Sequence, residues 1–421
     1  YVEQRHLHSF PTRRSSDLNI ACANPHKKNR EVTRIKGILY SFFTKFCIQN
    51  SFIKKATQGF QRAKIAKKFH NTAVSLNFVP KIQDYKMEHR KLTRYLISLV
   101  MILMMVGLAE WTNEKEILFP EMTALIIGLL IIDKRVWNVK RWQIILLMTL
   151  GAAVGICIVR YSPLPYVVNL CAAFAFAGAS LLISRATLIP LISACVLPVL
   201  LHTESIVYPI AVFSMSVSVV LVQIILEKCG IRNRMPKPAD RKPDKEDIIR
   251  WLILFCFVGA LAELAVGMDY PYLILPPLMV TFVEMVNSKA GFRNRPTQVF
   301  LFLTTAATLG TVLQIVGHYH LHLPESIVAL TIAAILFLIF EWTRKFFAPA
   351  GALAFIPMLL PKENLGWLPL EASIGAALFI TIAMVVFQKC YKWNRAQLIF
   401  CATPTLLREY MNRKKRKKQI E

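Results

Sequence analysis

Long apolar runs, separated by short polar segments, make up most of this chain from residue 95 onward. Many of them hold close to 20 residues, the length that a helix needs to cross the hydrocarbon core of a membrane. The pattern therefore predicts an all-α polytopic integral membrane protein. The predicted spans are 95–109, 117–132, 142–159, 165–184, 187–201, 205–226, 251–268, 272–286, 297–317, 324–342, 347–360 and 368–388.

The second half of this pattern repeats the first. ILFPEM at 117 aligns with ILPPLM at 274, and LMTLGAAVG at 147 aligns with AATLGTVLQ at 306, with offsets between 157 and 160 residues. We therefore predict two tandem six-helix repeats with about 12 transmembrane segments. The predicted parts are repeat 1 at 87–228, a cytoplasmic linker at 229–248, repeat 2 at 249–390 and a basic cytoplasmic tail at 391–421.

Two apolar segments contain prolines at matching positions. Pro190 and Pro349 open them, and Pro198 and Pro357 follow eight residues later in each. An interior proline removes a helix hydrogen bond, and a membrane tolerates such a break where the backbone faces protein or a cavity. We therefore expect Pro-broken short helices at the functional centre. The two segments are TLIPLISACVLPVLLH at 187–202 and FFAPAGALAFIPMLLP at 346–361.

The length of these two segments leaves an alternative topology open. A helix of about 15 residues rises only about 22 Å, less than the roughly 30 Å of the hydrocarbon core. Both segments could then enter and leave on the same side, which gives five spans per half and places the linker outside. The distribution of basic residues between the loops favours six spans per half.

The first 86 residues do not continue the pattern of long apolar runs. HSFPTRRSSDL at 8–18 matches one translated frame of a common sequencing adapter, and no methionine precedes Met87. We interpret 1–86 as non-native translation and Met87 as the start. A basic, acid-poor leader of this kind also resembles an organelle transit peptide, which remains the alternative.

The charge balance indicates membrane topology. Of 51 Lys+Arg and 25 Asp+Glu in the chain, 34 and 21 remain after residue 86, and the excess lies in loops and the tail. The positive-inside rule then places both termini and the linker on the cytoplasmic side of the membrane. We predict that this membrane is a bacterial inner membrane. RKKRKK at 413–418 favours contact with anionic lipid. No nucleic-acid-binding motif accompanies the charge, so we predict lipid and a small solute as partners, with homo-oligomer formation left open.

Two arginines precede the broken helices at the same distance. Arg185 and Arg344, combined with free N–H groups and the positive ends of helix dipoles, would form an anion site. The alternative is that both anchor the helix ends at the membrane surface. The substrate-binding residues predicted on the first interpretation are Arg344, Arg185, Pro349, Ala350, Gly351 and Pro190.

Carboxylates inside apolar runs are candidates for proton coupling, because a charge in the membrane is costly and usually faces the bundle interior. Glu263 is the most central within its span, so we predict that it is the coupling residue. Glu121 and Glu284 lie nearer to span ends and read as interfacial.

The remaining motifs indicate no further chemistry. His318, His320 and His322 would share one face of an extended segment and could bind a transition metal, but a solvated loop is the preferred interpretation. No nucleophile motif, phosphate loop or zinc signature occurs. We predict no metal, no cofactor and no enzymatic activity.

In the second half, about 270–388, a Pro-ended helix is followed by a basic loop with FRNR, a TLG-containing span and then APAGALAFIPMLL. In this order the motifs resemble the HPP family of integral membrane proteins. Phe347, Ala348 and Pro349 stand at the positions of the eponymous His-Pro-Pro, so the histidine and first proline are absent. The resemblance implies transport of a small anion such as nitrite. A looser similarity to fusaric-acid-resistance-type exporters, through the TLG span, implies efflux, and a non-transporting scaffold is the other alternative.

Overall fold

The computed structural model describes residues 78–236, 238, 243–287 and 295–386, with side chains from residue 89 onward. The chain divides into two units, Tyr1–Lys81 and Ile82–Glu421, and all described residues except the first turn of the first helix belong to the second. The interpretation of 1–86 falls almost entirely outside the described residues, although the first helix already begins at Phe78. Within the described part, the helices are α1 (Phe78–Thr112), α2 (Pro120–Ile126), α3 (Arg141–Tyr161), α4 (Tyr166–Ser184), α5 (Pro190–Leu201), α6 (Val207–Lys228), α7 (Lys245–Gly267), α8 (Pro276–Asn287), α9 (Pro296–Leu313), α10 (Glu325–Thr343), α11 (Ala348–Phe355) and α12 (Leu368–Val386).

Eight of these helices are long and apolar enough to cross a membrane. They are α1, α3, α4, α6, α7, α9, α10 and α12, and α9 continues as a π-helix through Gln314–His320. No strand occurs among the described residues. The all-α class is confirmed, and the chain is a multi-pass membrane protein.

The other four predicted spans are short helices. α5 and α8 have 12 residues each, α2 has 7 and continues as a π-helix of 5, and α11 has 8 followed by a 3-10 turn. Twelve residues rise about 18 Å, which is much less than a hydrocarbon core of about 30 Å. The sequence predicted two helices broken by proline, whereas the described residues form four short ones. Helix α5 runs through Pro198 without a break, and Pro357 lies in the 3-10 turn after α11.

The short helices form the core of the bundle. Every side chain of 120–131, 190–200, 276–286 and 348–358 is buried. The long helices, by contrast, bury only 28% to 44% of their apolar windows. A helix that is apolar on all sides gains most from a position surrounded by protein, so the long helices are left to face lipid.

The two halves of the chain interlock at this core. Helix α2 packs against α11, and α5 packs against α8. A Cβ on Gly351 of α11 would lie 2.3 Å from Ile127 and 3.2 Å from Thr123, so the glycine allows the close approach. Short helices from one half therefore contact short helices from the other.

Two glycines set the contacts of long helices with short ones. A Cβ on Gly155 of α3 would lie 2.4 Å from the Cys195 carbonyl oxygen, and one on Gly310 of α9 would lie 2.1 Å from that of Ala354. The sequence alignment instead paired Gly310 with Gly151, one helical turn earlier. The two helices begin at Arg141 and Pro296, so Gly155 and Gly310 occupy the same position counted from the start of each helix.

Contacts near the helix ends define two ends of the bundle. At the first, here called the basic end, Arg94 pairs with Asp133, and Arg232 donates to the Ile132 carbonyl oxygen at 2.7 Å. Burial, followed by the nearby Arg94 charge, lowers the pKa of Arg232 to about 10. At the opposite end, Glu110 accepts the backbone N–H groups of Glu325 and Ser326 at 3.1 Å.

Candidate substrate site at the centre of the bundle

The starts of the four short helices meet at one small void. Each helix contributes side chains from its first five residues. The void has a volume of about 10 Å³, which suffices for a single water molecule. We call it the central void. It is lined by Glu121, Ala124, Trp137, Pro190, Ser193, Pro277, Val280, Glu284, Ala348, Pro349 and Ala352.

Glu121 is the first of two carboxylates at the void. It is 1% exposed, and the Ser193 hydroxyl donates a hydrogen bond to its Oε1. Its other oxygen, Oε2, is buried and has no hydrogen-bond partner among the described residues. A buried polar atom without a partner is costly, so this oxygen is a candidate for binding a proton or a polar ligand.

Glu284 is the second carboxylate. It is 5% exposed, and the Trp137 indole donates to its Oε1 at 3.2 Å. The described lining of the void contains no lysine or arginine. Keeping two buried carboxylates charged without a nearby cation costs free energy. The site therefore favours the binding of positive charge.

The prediction that Glu263 faces the bundle interior is wrong. Its side chain is exposed on α7, which instead buries Leu254, Val258, Ala262 and Ala265. A central position along a span fixes depth but not the direction around the helix axis. The interior carboxylates are Glu121 and Glu284, which the sequence had placed at the interface.

The predicted substrate-binding residues separate into two groups. Pro190 and Pro349 line the void. Arg185 and Arg344 do not: each ends a long helix in the left-handed conformation, with φ of 54° and 52°, and each is exposed. This geometry is that of a helix C-cap and fits the alternative in which the arginines anchor helix ends.

Ala350 and Gly351, the last two predicted residues, are buried beside the void but are absent from its lining. Gly351 serves the close packing of α11 against α2. Its role in the fold is therefore structural, as small residues at helix contacts generally are.

A larger cavity lies at the opposite end of the bundle. Its volume is about 370 Å³, and it is bounded by the ends of α5 and α11. We call it the vestibule. Polar and charged groups at its wall are Lys115, Glu116, His202, Thr203, Tyr208 and Tyr272.

A second cavity of about 300 Å³ lies at the basic end, and we call it the basin. Arg135, Lys140 and Arg141 are among its lining residues. Arg141 pairs with Glu227, which also accepts a hydrogen bond from Gln223 at 2.8 Å. Burial, followed by the charge of Arg141, lowers the pKa of Arg135. The basin therefore has a positively charged wall.

Two aromatic side chains lie where the void comes near these cavities. Trp137 lines both the void and the basin, and a Cβ on Gly128 would lie 2.5 Å from its ring. On the other side, Tyr208 lines the vestibule and donates to the Ala194 carbonyl oxygen at 3.2 Å, next to Ser193. Neither aromatic side chain stands out in the sequence, because the position of each depends on contacts between distant segments.

The histidine-rich segment does not form the geometry required for a shared metal face. It is π-helical through His320 rather than extended, and the Nδ1 of His318 lies 3.1 Å from the Leu323 carbonyl oxygen. A carboxylate oxygen of Glu325 is 3.6 Å from the Nε2 of His318. Among the described residues, no group of three or more potential metal ligands is found.

A comparison of the chain with known protein families, curated proteins and solved structures finds no match.

Proposed function

We propose that this protein transports a small solute through the central void. The observation that supports this is the convergence of four short helices on a void that holds two buried carboxylates. Transporter folds place substrate sites near the membrane midplane, at the ends of discontinuous helices. A scaffold needs neither short helices in its core nor buried carboxylates there, and both are costly to keep.

The vestibule and the basin support an alternating mechanism. Each lies towards one end of the bundle. Trp137 lines both the basin and the void, and Tyr208 lines the vestibule and donates to Ala194, the neighbour of the void-lining Ser193. We propose that these two rings are the barriers. Movement of either ring would open the void to one side while the other ring keeps it closed. The structure would then correspond to an occluded state in this cycle.

The substrate we propose is a small anion such as nitrite, as the resemblance to the HPP family implies. The cations of the basin, Arg135, Lys140 and Arg141, would concentrate anions near the void. The carboxylates within the void would repel an anion if they were charged. Anion entry would therefore require that they carry protons.

The arrangement as two repeats with twelve membrane crossings is also a proposal. Matched features support two six-helix repeats: the left-handed caps at Arg185 and Arg344, and the contacts of Gly155 and Gly310 with carbonyl oxygens of the short helices. For twelve crossings, each short helix would have to span the membrane together with the non-helical segments that flank it. The bacterial inner membrane and cytoplasmic termini belong to the same proposal.

Flux into proteoliposomes tests the function. We expect the full chain to take up nitrite or another member of a panel of small anions above the rate of empty liposomes, and faster with a pH gradient. A panel that gives no flux in either direction of the gradient would favour the scaffold. An outward preference for aromatic acids would favour the exporter.

Replacements of the two arginines separate a binding role from a capping role. We expect Arg344→Gly to keep both flux and folded protein, since glycine adopts the left-handed conformation without strain. Arg185→Gly is expected to behave in the same way. Loss of flux in Arg344→Gly, with the amount of folded protein unchanged, would restore Arg344 to the substrate site.

Labelling of introduced cysteines tests the topology. A cysteine in place of Asn233, which is exposed after α6, should react with an impermeant reagent only from the cytoplasmic side. One in place of Glu363, exposed between α11 and α12, should react only from outside. Reaction of position 233 from outside would favour five spans per half.

A further inference from the structure

We infer that Glu121 and Glu284 together hold the proton that is coupled to transport, in place of Glu263. The inference rests on the proposed function and names its coupling ion. Both carboxylates line the central void, where the unpartnered Oε2 of Glu121 is available to a proton. The proton would then be held at the centre through which the solute has to pass, and the void would have to widen when the solute enters.

The composition of the void favours a proton over a metal cation. Its polar side chains are two carboxylates, one hydroxyl and the Trp137 indole, which only donates. Hard metal cations such as Ca²⁺ take about six to eight oxygen ligands. A volume of about 10 Å³ also leaves no room for a hydrated ion. A proton, with or without one bridging water, fits these limits.

Each carboxylate lies behind one of the two barriers. Glu284 is hydrogen-bonded to Trp137, which faces the basin. Glu121 lies on the side of Tyr208, whose ring packs edge-on against Phe119 with centroids 6.0 Å apart. A proton could therefore enter one carboxylate from the vestibule and leave from the other to the basin.

The transfer between them conserves charge and atoms. The carboxylic acid at Glu121 gives its proton to a water in the void, and that water gives one of its own protons to the Glu284 carboxylate. The first group becomes a carboxylate as the second becomes an acid. No bond other than O–H is formed or broken, and no additional reactant is required.

The groups that face this pair add no positive charge. The titratable side chains on described helices packed against α2 and α8 include Tyr208 of α6, Cys195 of α5 and Glu371 of α12. Glu371 accepts the backbone N–H of Tyr272 at the opposite end. The described parts of α5, α6, α11 and α12 place no lysine or arginine in the lining of the void. A proton is therefore the available means of neutralising the two carboxylates.

Infrared difference spectroscopy of the full chain in liposomes tests proton binding without any solute. We expect a pH change to produce carboxylic-acid C=O bands, of which one component is reduced in Glu121→Gln and in Glu284→Gln and lost in the double variant, while the bands of the other acidic residues remain. Glu263→Gln is the matched control, since it removes a carboxylate from an apolar helix outside the void. If the double variant shows the same bands as the unsubstituted chain, or if that component disappears in Glu263→Gln, the inference is overturned.

Nitrite uptake by the same samples separates this inference from the proposed function. We expect an inward acid gradient to accelerate uptake by the unsubstituted chain and by Glu263→Gln, and to have no effect on either glutamine variant. Uptake driven by a sodium gradient alone would overturn the proton assignment and leave transport intact. Normal infrared bands with no uptake of any solute would overturn the transport proposal and leave the proton site intact.

Discussion

Replacing Trp137 by alanine is expected to open the central void to the basin. The indole lines both spaces and is the described side chain that separates them. Its loss would also remove the hydrogen bond that the indole donates to Glu284. A cysteine introduced at Ser193, in a chain without other cysteines, should then react with a small water-soluble thiol reagent from the basic end. We expect the rate to rise about tenfold or more, equivalent to roughly 1.4 kcal/mol in the opening equilibrium.

Trp142→Ala is the control for this experiment. Trp142 belongs to α3, close in sequence to Trp137, but is 58% exposed and absent from the lining of both spaces. We expect its loss to leave the reactivity of the cysteine at 193 unchanged. Equal reactivity in Trp137→Ala and the chain with tryptophan intact would show that the barrier at the basic end lies elsewhere.

Replacing Gly310 by alanine is expected to cause a large loss of stability. The added Cβ would lie 2.1 Å from the Ala354 carbonyl oxygen, a backbone atom that no rotamer change can move. Helices α9 and α11 would have to separate, and α11 supplies part of the void lining. Overpacking of this kind costs about 1–3 kcal/mol or more. The measurement is the temperature at which the protein in detergent loses its monodisperse gel-filtration peak.

Gly107→Ala provides the matched control. Gly107 also lies in a long apolar helix, α1, but a Cβ there would meet nothing within 4 Å. Alanine favours helices over glycine by about 0.8–1.0 kcal/mol in water, so we expect no loss of stability. We expect Gly155→Ala to resemble Gly310→Ala, because its Cβ would lie 2.4 Å from the Cys195 carbonyl oxygen. If Gly310→Ala is as stable as Gly107→Ala, the two helices do not approach as closely as described.

The glutamates show that the position of a residue within an apolar run is not enough to locate a buried site. The sequence singled out Glu263 because it is central in its span, yet its side chain is exposed while Ala262 next to it is buried. Adjacent residues on a helix point about 100° apart, since one turn takes 3.6 residues. In a helix that is apolar on nearly all sides, the pattern does not reveal which side faces the protein. Contacts between helices decide this.

The arginines show a related limit. Matched positions before two broken helices indicated a shared role, and the structure does give Arg185 and Arg344 the same left-handed backbone conformation. Their role in the geometry is to end α4 and α10, away from the lining of the void. An arginine at a helix end has the same sequence signature whether it caps the helix or binds a ligand.

The sequence by itself determined that the chain is helical and embedded in a membrane, because runs of apolar residues of this length have few other stable environments. It also located two of the four short helices through their prolines. Only the tertiary structure decided that α2 and α8 are short as well and that all four begin at one void. The placement of Trp137 beside Glu284, 147 residues apart, and of Ser193 beside Glu121, 72 residues apart, was decided there too. Such pairs form through the packing of distant helices, which hydrophobic periodicity within a single helix cannot specify.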